Sequence, residues 1–199
     1  MRILEIFQSI QGEGPAMGRP ATFVRLAGCN LSCEGCDTTL AAGRELSPAE
    51  LAEGIRGGRV VITGGEPALQ RDELAMLVDQ LCQRGLELHL ETNGTILLPD
   101  EILSKFRYVV VSPKQGSAVE LDRWSKRDNV HIKFVIGPRS WCWSAEMLAE
   151  TVPSLPRDRV WIMPFGRDPE MKDARKAWDL ALRLGVNYSD RLHIRLRRK

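Results

Sequence analysis

Three of the five cysteines fall within eight residues, as Cys29, Cys33 and Cys36 of GCNLSCEGCDT. Three thiols spaced C-x3-C-x2-C do not close a tetrahedral structural zinc site, which takes four protein ligands. A [4Fe–4S] cubane accepts thiolates at such spacing, and three of them leave one iron open to a non-protein ligand. Gly28 and Gly35 suit a loop whose backbone wraps a bulky group. Two alternatives stand beside this reading: three thiols that only pack, and a zinc site completed by a distant residue such as His89. Cys82 lies in an apolar helical pattern and Cys142 between Trp141 and Trp143, so both read as small buried side chains.

Short apolar runs alternate with amphipathic segments, and these must position the loop. Residues 2–7 and 21–27 (ATFVRLA) read as strands, followed by RVVIT (59–63), LELHL (86–90), YVVV (108–111), VHIKFVI (130–136) and VWIM (160–163). Ser47, Pro48 and Glu50 spell a capping box that opens a helix running to about Gly57. Leu74, Leu77, Val78 and Leu81 recur on one face of a helix over 70–84. A short helix reads at 99–105, and further helices near 141–151 and 169–184. Strands alternating with helices imply parallel βαβ crossovers. About six such units are too few for an eight-stranded barrel of ~250 residues. The fold class expected is therefore α/β, an open, partial (β/α)6-type barrel in a single domain spanning 1–199. Ligands of such folds sit at the carboxyl ends of the strands. GCNLSCEGCDT, GGEP, ETNGT and SPKQG all follow strands, which predicts one rim of unusual chemistry.

Composition narrows the class. The chain has 199 residues, 43% hydrophobic and 27% charged, with a formal net charge of +2. That excludes collagen-like, coiled-coil and disordered chains and allows a sizeable core without disulfides. Purely apolar runs such as Val109 to Val111 are far short of the ~20 residues that span a bilayer. MRILEIFQSIQGEG carries Glu5 and no long apolar stretch, so no signal peptide and a cytoplasmic location are expected. No nucleic-acid partner is expected from the near-neutral balance. The final RLHIRLRRK, with five basic residues, reads as a solvated basic end.

C-x3-C-x2-C followed by GGEP after the next strand resembles the radical S-adenosylmethionine (SAM) superfamily. In that superfamily the open iron is chelated by the methionine moiety, and reductive cleavage yields a 5′-deoxyadenosyl radical. The block EIFQSIQGEGPAMGRPATFVRLAGCNLSCEGCDT (5–38), continued by TGGEP, ETNGT, VSPK and the late histidine of RLHIRL, is similar to the 7-carboxy-7-deazaguanine synthase family. The resemblance spans nearly the whole chain. It implies ring contraction of 6-carboxy-5,6,7,8-tetrahydropterin with loss of ammonia, in 7-deazapurine (queuosine-type) biosynthesis. It also implies a [4Fe–4S] cluster, SAM and Mg²⁺, a homodimer and a flavodoxin-type electron donor.

Residue by residue, the resemblance assigns Cys29, Cys33 and Cys36 to the cluster and Thr38 to Mg²⁺, with a turn-capping threonine as the alternative for CDTT. Ile10, Gln11, Gly12, Glu13, Arg25, Thr63 and His193 correspond to substrate contacts, Glu13 accepting from the pterin amine and ring N–H. A charge at Arg25 is costly unless paired; a substrate carboxylate would pair it bidentately, and an internal glutamate is the alternative. His193 is expected on the final strand. Gly35, Cys36, Asp37, Gly64, Gly65, Glu66, Glu91, Asn93, Ser112, Pro113 and Lys114 correspond to SAM contacts. The chain departs from the family pattern at Phe165, where a polar residue is expected, and in a short loop over 40–46. Only six residues follow His193, so the Lys199 carboxylate is expected to approach the substrate pocket. A glycyl-radical activase shares the cysteine spacing, and a non-enzymatic metal-binding protein is the other alternative. The activase has no use for QGEG with Arg25, and the basic tail is the only support for the non-enzymatic reading.

Overall fold

The structure is a computed structural model that describes residues 1–38, 43–166 and 171–198. The chain is mixed α/β and divides into two compact units. The first comprises Met1–Ser9, Pro20–Thr92 and Ile96–Val109; the second comprises Ile10–Arg19, Asn93–Thr95 and Val110–Lys199.

In the first unit, β1 (Arg2–Ile10), β2 (Pro20–Leu26), β3 (Arg44–Glu45), β4 (Arg59–Gly64) and β5 (Glu87–Thr92) alternate with α1 (Pro48–Gly54) and α2 (Arg71–Gln83). The strand order is β3-β1-β2-β4-β5. β2, β4 and β5 run parallel, in a register that sets Arg25 opposite Thr63 and Leu26 opposite Gly64. Val60, Val61 and Ile62 are fully buried, as a parallel strand covered on both faces requires. Leu74, Leu77, Val78 and Leu81 form the buried stripe of α2. The Ser47 capping box forms as expected, its hydroxyl accepting from the Glu50 N–H while the Glu50 carboxylate accepts from the Ser47 N–H. The helix it opens ends at Gly54, three residues before the expected stop.

α3 (Asp100–Leu103) leads to β6 (Tyr108–Val111), whose residues are divided between the units. The second unit continues with α4 (Leu121–Ser125), β7 (Val130–Ile136), α5 (Ala145–Thr151), β8 (Val160–Pro164), α6 (Lys172–Leu184), β9 (Asn187–Tyr188) and α7 (Leu192–Arg195). β7, β8 and β9 are parallel neighbours. Their core gathers Ile132, Phe134, Ile136, Val160 and Ile162 against Leu148, Ala177 and Leu180. Gly185 ends α6 in the left-handed region at φ 64, and its N–H closes on the last turn. The helix expected to begin at 169 is described from Lys172. Two-residue strands β3 and β9 and the short α4 and α7 are additions to the sequence reading. Elements this short carry no periodicity for a sequence to display.

Candidate active site

In the first unit the cysteine loop leaves β2 through Gly28, at φ 87. Cys29 and Cys33 are half-buried, Cys36 is exposed, and none is in a disulfide. The N–H of Leu31 donates to Cys29 Sγ at 3.4 Å, and the N–H of Cys36 donates to the Cys33 carbonyl at 3.1 Å. Among the described residues no His, Cys, Asp or Glu group converges as the ligand set of a single metal ion. A cubane takes each thiolate on a different iron, so its ligands do not share one centre. Unbridged thiols on one loop, with an amide aimed at a sulfur, fit such a cluster.

The glycines of GGEP answer to the protein's own backbone. A Cβ on Gly64 would stand 2.3 Å from the Leu26 carbonyl oxygen, and one on Gly65 would stand 1.9 Å from that of Gly28. Close approach lets the Gly65 N–H donate to Leu26 at 3.1 Å and the Glu66 N–H donate to Gly28 at 2.9 Å. The end of β4 is thereby fastened to the root of the cysteine loop. Glu66 is fully buried, and its Oε1 accepts from the Ala68 N–H at 2.9 Å and the Thr92 hydroxyl at 2.8 Å. Its carboxylate fixes the turn after GG.

Arg25 donates through Nε to Glu5 at 2.8 Å and through Nη1 to the Thr38 hydroxyl, also at 2.8 Å. Its guanidinium carbon lies 5.9 Å over the Phe7 ring, which stacks on Phe23. The glutamate partner that the sequence left open is thus Glu5. Thr38 is buried, and its hydroxyl also stands 3.5 Å from the Gly64 carbonyl. Thr63 donates to Glu91 at 2.8 Å. Arg25, Thr38, Thr63 and Glu91 therefore gather about the carboxyl ends of β2, β4 and β5. Gly35 and Asp37 stay with the loop, Asp37 exposed.

In the second unit the QGEG turn is fastened at several points. The Gln11 N–H donates to the Arg19 carbonyl and the Gly18 N–H to that of Gln11, both at 2.8 Å. The Gly14 N–H donates to Ser189 Oγ at 2.9 Å, and the Leu192 N–H to the Gly12 carbonyl at 3.1 Å. A Cβ on Gly12 would stand 2.6 Å from His193 Nδ1, so any side chain there would push the ring aside. His193 belongs to α7 and not to a strand, a correction to the sequence reading: the last strand ends at Tyr188 and the chain then turns through Asp190. Ile10 is exposed and Gln11 buried.

Three basic side chains converge on Glu13. Its Oε2 accepts from the Lys133 ammonium, its Oε1 accepts from Arg191 Nε at 3.0 Å, and His193 Nε2 stands 3.8 Å away. Burial by itself would raise its carboxyl; the Lys133 and Arg191 charges outweigh burial and hold it at about 2. The expected solvated basic end is thus corrected at two positions. Arg191 is buried on Glu13, and Arg195 donates to Asp190 at 3.0 Å. Lys133 and Arg191 escaped the sequence reading, although a lysine inside VHIKFVI signals a buried partner.

Asn93 caps its own turn, Oδ1 accepting from the Thr95 N–H at 2.9 Å. Lys114 Nζ donates to the Ser112 carbonyl at 2.7 Å and lies 5.4 Å over Trp141, while the Pro113 carbonyl accepts from Trp143 Nε1 at 2.9 Å. Phe165 is buried edge-on to Trp141 at 5.8 Å, beneath the Arg139 guanidinium. The departure at 165 therefore serves packing. Lys199 and residues 39–42 of the short loop lie outside the described residues.

With this geometry in hand, comparisons with known proteins converge. Residues 24–114 match the Radical SAM superfamily. The 7-carboxy-7-deazaguanine synthase of Hyperthermus butylicus is 40% identical over 221 residues, spanning 98% of this chain and 92% of the relative. That of Pyrobaculum aerophilum is 36% identical over 209 residues, spanning 98% and 93%. The crystal structure of QueE from Escherichia coli matches with a TM-score of 0.71 at 27% identity, over 95% of this chain and 92% of that one. The expected α/β class with a largely parallel open sheet agrees with that fold. Identity at this level over nearly the full length places the chain, an enzyme of the radical SAM superfamily, in the 7-carboxy-7-deazaguanine synthase family.

Proposed function

We propose that the chain converts 6-carboxy-5,6,7,8-tetrahydropterin to 7-carboxy-7-deazaguanine with loss of ammonia, as a single-domain enzyme of queuosine-type biosynthesis. The observation that carries the substrate reading is Glu13, a carboxylate buried in a glycine turn and kept ionised at about 2. Such a group accepts hydrogen bonds and does not donate them, which suits the adjacent N–H donors of an aminopyrimidine ring. The [4Fe–4S] cluster and SAM supply, when bound, the one-electron chemistry that starts the ring contraction.

The chain's own residues bind and orient. Cys29, Cys33 and Cys36 hold the cluster, and backbone around Gly35, Cys36, Asp37, Gly64 and Gly65 borders the cosubstrate. Glu66 keeps the GG turn in shape. Glu91, Asn93, Ser112, Pro113 and Lys114 contribute polar contacts to SAM. Arg25 takes the substrate carboxylate, exchanging or sharing its bond to Glu5. Ile10, Gln11 and Gly12 offer backbone groups, and Thr63 and His193 offer side chains.

Magnesium fits less well. Thr38 supplies one neutral oxygen, and the Arg25 guanidinium already lies 2.8 Å from it. A divalent ion there needs water and substrate oxygens for the rest of its octahedron and an anion to offset the arginine, so no step is assigned to it. The partners proposed are a second copy of the chain and a flavodoxin-type donor in the cytoplasm. No helix among the described residues is long and apolar enough to cross a membrane.

The test is equilibrium binding of 6-carboxypterin to anaerobically reconstituted protein. Wild type is expected to bind it, and Glu13→Gln and Arg25→Ala each to weaken binding by about tenfold or more. Equal affinity in all three overturns the substrate reading.

A further inference from the structure

Glu13, Lys133 and Arg191 come from the QGEG turn, the middle of β7 and the segment before α7. Their side chains are only 12%, 5% and 9% exposed. Burying three ionised groups is expensive, and apolar side chains would pack there at least as well. Nor are the charges needed to fasten the turn, because Gly14 to Ser189 and Leu192 to Gly12 already do so through hydrogen bonds. The two cations divide the carboxylate between them, Lys133 on Oε2 and Arg191 on Oε1. Arg191 then reaches past Glu13, its Nη1 donating to the Phe165 carbonyl at 2.8 Å. A Cβ on Gly166 would stand 3.2 Å from Arg191 Cδ, so the glycine there leaves the arginine its room. A carboxylate has about four lone-pair sites, so each oxygen keeps capacity for a ligand N–H after binding its cation.

We propose that Lys133 and Arg191 are positioning residues for the substrate: they orient the Glu13 carboxylate, one oxygen each, toward the paired N–H donors of the heterocycle. The assignment rests on the reading of Glu13 as the substrate's acceptor. Neither cation touches the reacting atoms. Arg191 also ties the aim of Glu13 to the loop after β8 through Phe165.

Steady-state kinetics of the reconstituted holoenzyme test this with Lys133→Met, Arg191→Lys, Glu13→Gln and the double variant Glu13→Gln/Lys133→Met. Lys133→Met is expected to raise KM for 6-carboxytetrahydropterin about tenfold while kcat falls by less than about threefold. It is also expected to bring into kcat/KM an acid limb that wild type lacks, as Glu13 returns toward the ordinary carboxylate range. Arg191→Lys keeps the charge but loses the fork to Phe165, and is expected to raise the same KM. In the Glu13→Gln background the Lys133 substitution adds less than about threefold, because the group it positions is gone. That double variant leaves no unpaired carboxylate and supplies the comparison if Lys133→Met alone fails to fold. A raised KM in Glu13→Gln with unchanged KM and pH profile in Lys133→Met and Arg191→Lys overturns the positioning role alone. So does a Lys133 effect that persists in full without Glu13. A Glu13→Gln enzyme with the wild-type KM overturns the substrate reading beneath it.

Discussion

The cysteine loop of the first unit is shaped by backbone, whereas the QGEG turn of the second is organised around a charge. Around the loop the thiols are half-buried or exposed, and Gly64 and Gly65 meet Leu26 and Gly28 at distances that leave no room for a Cβ. The nearby ion pair of Arg25 with Glu5 is 21% and 29% exposed. Around Glu13 the backbone also closes on itself, but two nearly buried cations converge on one carboxylate and hold its ionisation far from ordinary. The contrast matches the tasks proposed for the two regions. A metal cluster brings its own charge and chemistry and asks the protein for sulfurs in the right places. A neutral heterocycle asks for fixed hydrogen-bond acceptors, and those must be held by other charges if they are to stay ionised when buried.

Steric damage to the loop should have the largest effect. Gly65→Ala places a methyl group against the Gly28 carbonyl oxygen and should abolish iron incorporation, as should Cys33→Ala; near-stoichiometric iron in the alanine variant would show that the backbone does not set the loop. Loss of a charge partner should separate the two regions in urea melts. Lys133→Met should lose about 3 kcal/mol, since it leaves a buried carboxylate with one partner fewer. Glu5→Gln should lose under about 1 kcal/mol, because its pair is more exposed and screened. Similar losses would erase the distinction.

Acid should act on the second unit in two stages. His131 is lowered to about 4 by burial and by Arg159. Below its ordinary 6.5 the unfolded chain binds a proton that the folded chain refuses, so stability falls between about 6.5 and 4. Glu13 follows: the unfolded carboxyl takes its proton near 4.5 and the folded one near 2, so its contribution is present above 4.5 and lost as pH falls toward 2. His131→Gln should reduce the first stage, to which the buried His89 of the first unit also contributes, and leave the second, as read from melting temperature against pH. Ser47→Ala, which removes the cap of α1 for about 1 kcal/mol, should leave both regions as they are.

The same contrast explains what could be read from the chain alone. The cysteine loop, GGEP and the Ser47 capping box are contiguous motifs whose spacing states their geometry. The strands of the parallel sheet announced themselves because runs such as Val60–Ile62 are apolar throughout. The Glu13 network is spread over partners 120 and 178 residues away, and no local pattern joins them. His193 stands in a motif, but the four-residue helix that carries it leaves no periodicity to distinguish it from a strand. The tail that reads as basic and solvated hides Arg191, whose charge is neutralised by a residue near the other end of the chain. The glycines of GGEP were visible as a motif; that they approach the protein's own carbonyls needed coordinates.

Assignment of the radical ring contraction of a carboxylated pterin to this chain rests on its family. Its most direct test is anaerobic turnover of the iron-reconstituted protein with S-adenosylmethionine, dithionite, Mg²⁺ and 6-carboxytetrahydropterin, followed by mass spectrometry. 5′-Deoxyadenosine and 7-carboxy-7-deazaguanine are expected together. Deoxyadenosine with no deazaguanine, from protein shown to carry a full cluster, would contradict the assignment.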